Sequence, residues 1–214
     1  VEAAGVVAAA PTWPIDLAEL TVTRPEGGTL RRIYLNISDF GIGGEICARV
    51  NRGTKVLGGF GSFLWHSLVA LAVYTDKVME LEIPGGEALR GPFRSVVVAN
   101  GRYFGGGMNI NPAGSPDDGL LDLVLLPDEG FFEYLRWFPA LYSDRGVLAH
   151  PRIEHRRIPG LRARCADPAD EVWIEMDGEN PGKLPLEIRV LPGALRMRAP
   201  YPGDLTKGPG AAEA

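Results

Sequence analysis

The residues best suited to chemistry in this 214-residue chain are acids set in glycine-marked turns. Asp177-Gly178-Glu179 follows the apolar run Val172 to Met176, which reads as a strand. An Asp-Gly pair after a strand is first of all a hairpin turn. Its functional reading presents Glu179 at a strand end as a general base, which must reach an attacking hydroxyl directly or through one water. Asp117-Asp118-Gly119 is likewise a turn signal first. A carboxylate among free loop carbonyls could also hold a hard cation such as Mg²⁺, although the acid spacing is not that of an EF-hand. The run Gly105-Gly106-Gly107 could cradle phosphate, but that use needs backbone N–H groups at a helix start, usually with a Lys. The chain has no GxxxxGK and no GxGxxG, so the run reads as close backbone approach or a flexible loop. His66, His150 and His155 match no HExxH spacing, and no GxSxG elbow supports a Ser–His–Asp hydrolase.

These turns need elements to hold them. The long loop from Asn100 to Asp122 joins two apolar runs, Phe93 to Ala99 and Leu120 to Leu126, which read as central strands. A Gly-, Asn-, Asp- and Pro-rich loop between such strands suggests a functional loop on a rigid sheet. Upstream, Leu20 to Thr23 and Arg31 to Ile37 read as strands around the turn Pro25-Glu26-Gly27-Gly28. A Gly-rich turn, Phe40 to Gly44, and a short helix, Glu45 to Asn51, come next. Phe60 to Thr75 carries Leu64, Leu68, Leu71 and Ala72 at helical spacing. Lys77 to Ile83 alternates Val78, Glu80 and Glu82 against Met79, Leu81 and Ile83, a half-buried strand. Phe131 to Tyr142 repeats aromatic and Leu residues at helical spacing, either a core face or an amphipathic lid that touches lipid. Ile153 to Ile158, Leu161 to Cys165, Val172 to Met176, Leu186 to Leu191 and Ala194 to Arg198 complete a series of short strands. The expectation is a mainly β fold, a sandwich or barrel decorated by a few helices.

Composition narrows the function classes. The hydrophobic fraction of 45% and charged fraction of 23% are those of a globular domain with an ordinary core. A formal net charge of −5 argues against nucleic acid as a partner. Arg152, Arg156, Arg157, Arg162 and Arg164 nevertheless cluster around His155, either as a solvated strand face or as a surface for anionic lipid headgroups. Cys47 and Cys165 form no CxxC pair and read as free, buried thiols in a reducing compartment, so a cytoplasmic setting is expected. No apolar run reaches transmembrane length. Val1 to Pro11 reads as the end of an upstream helix or a linker, and Tyr201 to Ala214 as a disordered tail.

The order of these motifs resembles the C-terminal half of the diacylglycerol kinase–sphingosine kinase family of lipid kinases. The matching segments, in chain order, are Ile15-Asp16-Leu17, Asn36 to Gly41, Val96 to Gly107, Pro112 with Asp117 to Asp122, Asp177-Gly178-Glu179, and Pro185 to Pro200. Together they cover residues 12–200. The resemblance implies the C-terminal domain of the diacylglycerol kinase/NAD kinase-like fold, a β-sandwich that closes a cleft against a nucleotide-binding domain. It implies phosphorylation of a lipid hydroxyl (diacylglycerol, ceramide or a sphingoid base) with ATP as co-substrate and Mg²⁺ as cofactor. By carry-over Glu179 is the base. Asp118, with backbone oxygens of Ser115 and Leu120, resembles a structural Mg²⁺ site, Ser115 standing where the family often has Lys. Asn100, Gly105, Gly106, Gly107 and Asp177 fall at the cleft. The family's GGDGT nucleotide motif is absent from the sequence, so the chain is expected to be inactive alone and to partner its own N-terminal nucleotide-binding domain. The expected partners also include the lipid substrate and, peripherally, a membrane surface, with room for a homo-oligomer. The alternatives are a non-catalytic β-sandwich that binds lipid or protein, and an NAD kinase-like domain, whose TGSTAY segment has no counterpart here.

Overall fold

In the computed structural model the described residues are 9–24, 27–52 and 58–198, and the side chains at 52, 58–64 and 87 lie outside the description. The expectations for Val1 to Pro11 fall largely, and those for the tail 201–214 wholly, outside these residues, as does the Pro25-Glu26 part of the first turn.

The order of elements is β1 (Thr12–Thr23), β2 (Thr29–Tyr34), β3 (Ile37–Gly41), α1 (Ile42–Arg52), α2 (Gly58–Val73), β4 (Lys77–Ile83) and β5 (Glu87–Ala99). A small hairpin, β6 (Tyr103–Phe104) and β7 (Met108–Asn109), precedes β8 (Leu121–Pro127). Then come α3 (Phe131–Trp137), two 3₁₀ turns (Phe138–Tyr142 and Gly146–Ala149), β9 (Glu154–Ile158), β10 (Gly160–Cys165), β11 (Trp173–Met176), β12 (Glu179–Lys183) and β13 (Leu186–Arg198). Eleven strands form one sheet in the order β12-β11-β3-β5-β4-β10-β13-β1-β2, with β8 between β5 and β9. The strand pairs are antiparallel, so the mainly β expectation holds, as a continuous sheet curling toward a barrel.

The central strand β5 explains the two layers. Val96 and Val98 face a core shared with Leu20, Phe40, Leu81, Leu123, Ile174 and Ile188. Val97 and Ala99, one residue out of phase, face a second cluster with Ile37, Ile110, Val124 and Val147. Burial on both faces accounts for the dense apolar run. The helices and the long loop cover this second face.

Several expectations are revised by the fold. The strand read as Arg31 to Ile37 breaks at Leu35-Asn36, and β3 starts anew at Ile37. Phe40-Gly41 ends β3, and Ile42 to Gly44 begins α1, where a turn was expected. The last two expected strands are a single strand, β13, that runs through Pro192-Gly193 opposite a bulge in β1. The strand β12 has no apolar pattern and was not foreseen.

Phe131 to Tyr142 is not one core helix. Pro139 stands at the start of the 3₁₀ turn that follows α3, and neither segment buries a residue. Phe132 is 82% exposed, and Leu135, Phe138 and Tyr142 are exposed with it. The arginine cluster is a solvated, paired face. Arg152 meets Glu129 at 3.0 Å, Arg156 meets Glu154 at 3.0 Å, Arg162 meets Glu187 at 3.1 Å, Arg164 meets Glu80 at 2.5 Å, and Arg157 meets Asp118. Arg162–Glu187 and Arg164–Glu80 are direct cross-strand neighbours, which accounts for the pairing. Both cysteines are free and only half-buried.

Candidate functional site

The second face of the sheet carries an apolar cavity of about 670 Å³. Its floor is sheet: Ile37 and Asp39 of β3, Ser95 and Val97 of β5, and Glu175 of β11. Ile42, Ile46 and Val50, one turn apart, present a stripe of α1 to it. Leu68 and Leu71 of α2, and Tyr134, Leu135, Phe138 and Leu141 beyond β8, complete the apolar lining. Asn36, Gly105, Asp177 and Gly178 contribute polar backbone and side chains.

Asp177-Gly178 is the turn of the β11–β12 hairpin, in which Met176 pairs with Glu179. Both turn residues have positive φ, +46° and +89°, the geometry that Asp-Gly favours in two-residue hairpins. The Asp177 carboxylate accepts N–H groups from Leu35 (2.8 Å), Asn36 (3.2 Å) and Ile37 (2.9 Å). It therefore shapes the break between β2 and β3 and anchors the turn. Glu179 follows at the start of β12, exposed, and no hydrogen bond or ion pair engages its side chain among the described residues. It lies just past Gly178 rather than in the cavity lining itself.

The Asn-rich loop is scaffolding around the same turn. Asn36 receives N–H groups of Asn100 (2.8 Å) and Gly101 (3.0 Å) on its carbonyl, and its amide donates to Tyr103 O at 2.9 Å. Buried Asn100 donates to Asp16 O (2.9 Å) and Leu35 O (2.8 Å). Gly105 to Gly107 form the tight turn of the β6–β7 hairpin and lead into a strand rather than a helix, and of the three only Gly105 borders the cavity. Asn100 and Asp177 thus converge on Asn36, and Gly105 borders the cavity with it, while Gly106 and Gly107 are not part of the cavity lining.

Asp118 has a different employment. Its Oδ1 accepts the Leu120 N–H at 3.0 Å, and its Oδ2 meets the Arg157 guanidinium. Ser115 donates its hydroxyl to Asp117 at 2.8 Å. Both Asp118 oxygens are thus engaged in this fold, one of them by a fixed positive charge, while the donors expected beside it are the backbone oxygens of Ser115 and Leu120. The loop is held instead by Asp16, a buried acid at the β1 bulge. Asp16 accepts Gly119 N–H (2.6 Å) and Gly193 N–H (2.7 Å) and joins three distant segments. A second acidic group, Glu129, Glu133 and His150, also borders on metal-ligand spacing. His150 Nδ1 accepts the Arg152 N–H at 3.1 Å, which leaves the proton on Nε2. That nitrogen lies 2.9 Å from Glu129 but misaligned for a hydrogen bond, Arg152 neutralises Glu129, and Glu133 takes the Trp137 N–H. No lone pair is left for a metal on the imidazole.

The sequence reading missed the acids on the cavity floor. Asp39 is 3% exposed and takes the Ser95 hydroxyl on Oδ1. Burial pushes its carboxyl up to about 7, with the Ser95 hydrogen bond opposing. Glu175 is its direct neighbour across the β3–β11 pair. Burial first, then the charges of Asp39 and Asp177, push Glu175 up to about 8, against the pull of the Gly178 N–H at 2.5 Å. The only sequence signal was phase: Asp39 falls on the Ile37 face of a strand whose other face is core.

Comparison with known proteins places this architecture. Residues 37–199 match the family described as the YegS C-terminal NAD kinase beta sandwich-like domain. The chain belongs to that family. Curated relatives named "Probable lipid kinase YegS-like" include one from Pseudomonas fluorescens strain Pf-5. It is 28% identical over 198 residues, covering 92% of this chain and 61% of the relative. One from Pseudomonas aeruginosa PAO1 is 28% identical over 196 residues, covering 92% and 60%. The chain thus spans about 60% of the length of the curated relatives it matches. Among solved structures, a diacylglycerol kinase from Bacillus anthracis str. Sterne superposes with a TM-score of 0.63 at 20% identity. It covers 92% of this chain and 60% of that one, and shares the YegS-like domain's fold.

Proposed function

We propose that this chain is the lipid-holding lobe of an ATP-dependent lipid kinase. The observation that carries the reading is the apolar cavity bordered by the Asp177-Gly178 turn, immediately before an exposed, unengaged Glu179. Its volume of about 670 Å³ lies within the roughly 300–1,000 Å³ typical of small-molecule sites. Each methylene of an acyl chain moved from water into such a site contributes about 0.8 kcal/mol. A lipid held by its tail would present its hydroxyl at the cavity edge, where Glu179 takes the proton as the oxygen attacks. Family membership and the names of the relatives support kinase chemistry. The nucleotide and its metal belong, in this reading, to the part of the full-length protein that carries the phosphate-binding segment, since GGDGT does not occur in these residues.

The lipid would enter from a membrane surface. Leu68, Leu135 and Phe138 both line the cavity and face solvent, and Trp65, Val73, Phe132 and Tyr142 extend the exposed apolar face on the same elements. Such a patch marks an interaction site. No helix among the described residues is long and apolar enough to cross a membrane, so contact would be peripheral.

The test is Glu179→Gln in the full-length enzyme, assayed for ATP-dependent lipid phosphorylation. The expected kcat falls about 10²–10⁴-fold, with ATP affinity and melting temperature unchanged. A near-normal kcat would show that Glu179 is only a hairpin residue.

A further inference from the structure

The helix α1 meets two things at once, the cavity and the hairpin that carries Glu179. Ile42, Ile46 and Val50 line the cavity, and Cys47 and Asn51 follow the last two of these by one residue, about 100° round the helix. That second stripe borders the cavity as well and reaches across to the hairpin. The Cys47 thiol donates to Gly178 O at 3.3 Å, and the Asn51 amide donates to Asn180 Oδ1 at 3.3 Å. Asn180 sits where the β11–β12 ladder slips register, between the Ile174–Gly182 and Met176–Glu179 pairs, and Pro181 after it has no N–H to offer. Its side chain spans the gap. The Asn180 amide donates to Ile174 O at 2.8 Å on the neighbouring strand and to Gly44 O at 3.3 Å near the start of α1. One part-buried side chain thus uses its donors and its acceptor to join β11, β12 and two places on α1 that are two turns apart. Gly44 makes the approach possible, since a Cβ there would collide with the Trp173 carbonyl.

The geometry points to Asn180 as a positioning residue that couples the filling of the cavity, through α1, to the stance of the Glu179 base. The inference rests on the lipid-kinase reading above and adds to it a control of that site by the tail of the lipid. No side-chain contact among the described residues holds Glu179, so its direction depends on the backbone on either side. Asp177 pins the chain before it to the break between β2 and β3, and Asn180 pins the chain after it to α1. The first anchor ends on the sheet. The second ends on a helix whose apolar stripe is a wall of the cavity. The two amide links to α1 stand at 3.3 Å, just beyond the usual range of about 2.7–3.2 Å, so a small movement of α1 tightens or breaks them. A long tail packed against Ile42, Ile46 and Val50 holds α1 in place, and Asn180 passes that restraint to the next residue along the chain. A short tail leaves the stripe unsupported and the base less well placed. Binding energy from a part of the lipid remote from the reacting hydroxyl then appears as turnover and not as affinity alone. A catalytic group misplaced by about 1 Å loses on the order of 10²-fold in rate.

The test is steady-state kinetics of the full-length enzyme with ATP, in nonionic detergent micelles. The probes are diacylglycerol, ceramide and sphingoid-base series whose chains run from about 8 to about 18 carbons. For whichever series is phosphorylated, kcat at saturating lipid should rise at least about fivefold from the shortest tail to the longest. Asn180→Ala should lower kcat about 10–100-fold on the longest tail and flatten the length dependence to within about twofold. KM for the lipid should still fall with tail length in that variant, and KM for ATP should be unchanged. Asn51 is exposed, so Asn51→Ala removes its link to Asn180 without disturbing the core, and it should reduce the length dependence by about half or more even where Asn180→Ala folds poorly. A kcat that ignores tail length in the unaltered enzyme overturns the coupling and leaves the kinase reading standing. So does a length dependence that survives in both variants. A lowered melting temperature with kcat and its length dependence intact would make Asn180 a residue of the fold only. No phosphorylation of any of the three series overturns the kinase reading and the coupling together.

Discussion

Replacing Asp39 by Asn should make the protein more stable at high pH and leave it unchanged in acid. The carboxyl stands at about 7 in the folded chain against an ordinary 3.8, because burial opposes ionisation more than the Ser95 hydrogen bond favours it. A raised folded value means that the native state keeps a proton which the unfolded chain gives up above pH 4. Stability is therefore fully present below about 4, falls as pH rises toward 7, and is flat beyond. The gap of about three units corresponds to roughly 4 kcal/mol at most, since one unit is about 1.4 kcal/mol. Asn keeps the shape and the acceptor for Ser95 without titrating. Glu175 shares the effect, because the Asp39 charge helps to raise it, so the two substitutions will not be additive. The assay is urea unfolding of the chain and of Asp39→Asn at pH 5, 6, 7 and 8, read as the difference at each pH, in which the carboxylates not coupled to Asp39 cancel. The difference should grow by about 2 kcal/mol or more in favour of Asn between pH 5 and 8. Parallel curves, or a variant that loses stability equally at every pH, would refute the argument that Asp39 is buried without a counter-charge.

Asp177→Ala should cost about 2–4 kcal/mol in denaturant unfolding, because three N–H groups lose their acceptor and Ala must adopt φ +46°. Glu179→Gln, two residues on, should stay within about 0.5 kcal/mol, so equal losses would contradict the division of labour in the turn. Millimolar Mg²⁺ should leave the melting temperature of this chain unchanged. In Arg157→Ala, which frees one Asp118 oxygen, a Mg²⁺-dependent rise should emerge; a rise already present in the unaltered chain would restore the metal site. Phe132→Ser and Leu135→Ser should each weaken co-sedimentation of the chain with lipid vesicles several-fold at unchanged melting temperature, since neither side chain is buried. Unaltered vesicle binding would remove the membrane-entry route.

How much was legible depended on whether the decisive interaction was local. β4 was read to the residue because its alternation is self-contained: Met79 and Leu81 are buried, while Val78 and Glu82 face out. The Asp-Gly turn was legible for the same reason, since the dipeptide carries its own backbone preference. The break after Tyr34 was not, because what interrupts the strand is a carboxylate 140 residues away. Nor was β12, whose residues Glu179 to Lys183 have no apolar period and include a Pro tolerated at the sheet edge. The stripe at Phe131 to Tyr142 has a helical period that a core face and a solvent-facing apolar patch share, and only the fold decides between them. The acids of the cavity floor were invisible for a geometric reason. Asp39 and Glu175 become neighbours through the β3–β11 register, and no spacing along the chain encodes that.

What sorts the acids of this chain is the supply of partners around each. Asp16 and Asp177 are surrounded by backbone N–H groups and tie remote turns together. Asp122 is held by Asn111 and His155, and Asp118 by Leu120 and Arg157. These four are consumed by the fold, and their motif positions therefore say little about chemistry. Glu179 is the reverse case: the same turn that engages Asp177 fully leaves the next acid on the chain unengaged and open to solvent. Asp39, buried, and Glu175, half-buried, are a third kind, each with one oxygen satisfied on the floor of the cavity. A fold gains nothing from desolvating two acids opposite each other. Burial without a counter-charge raises both carboxyls, the cost that the Asp39→Asn series reads out.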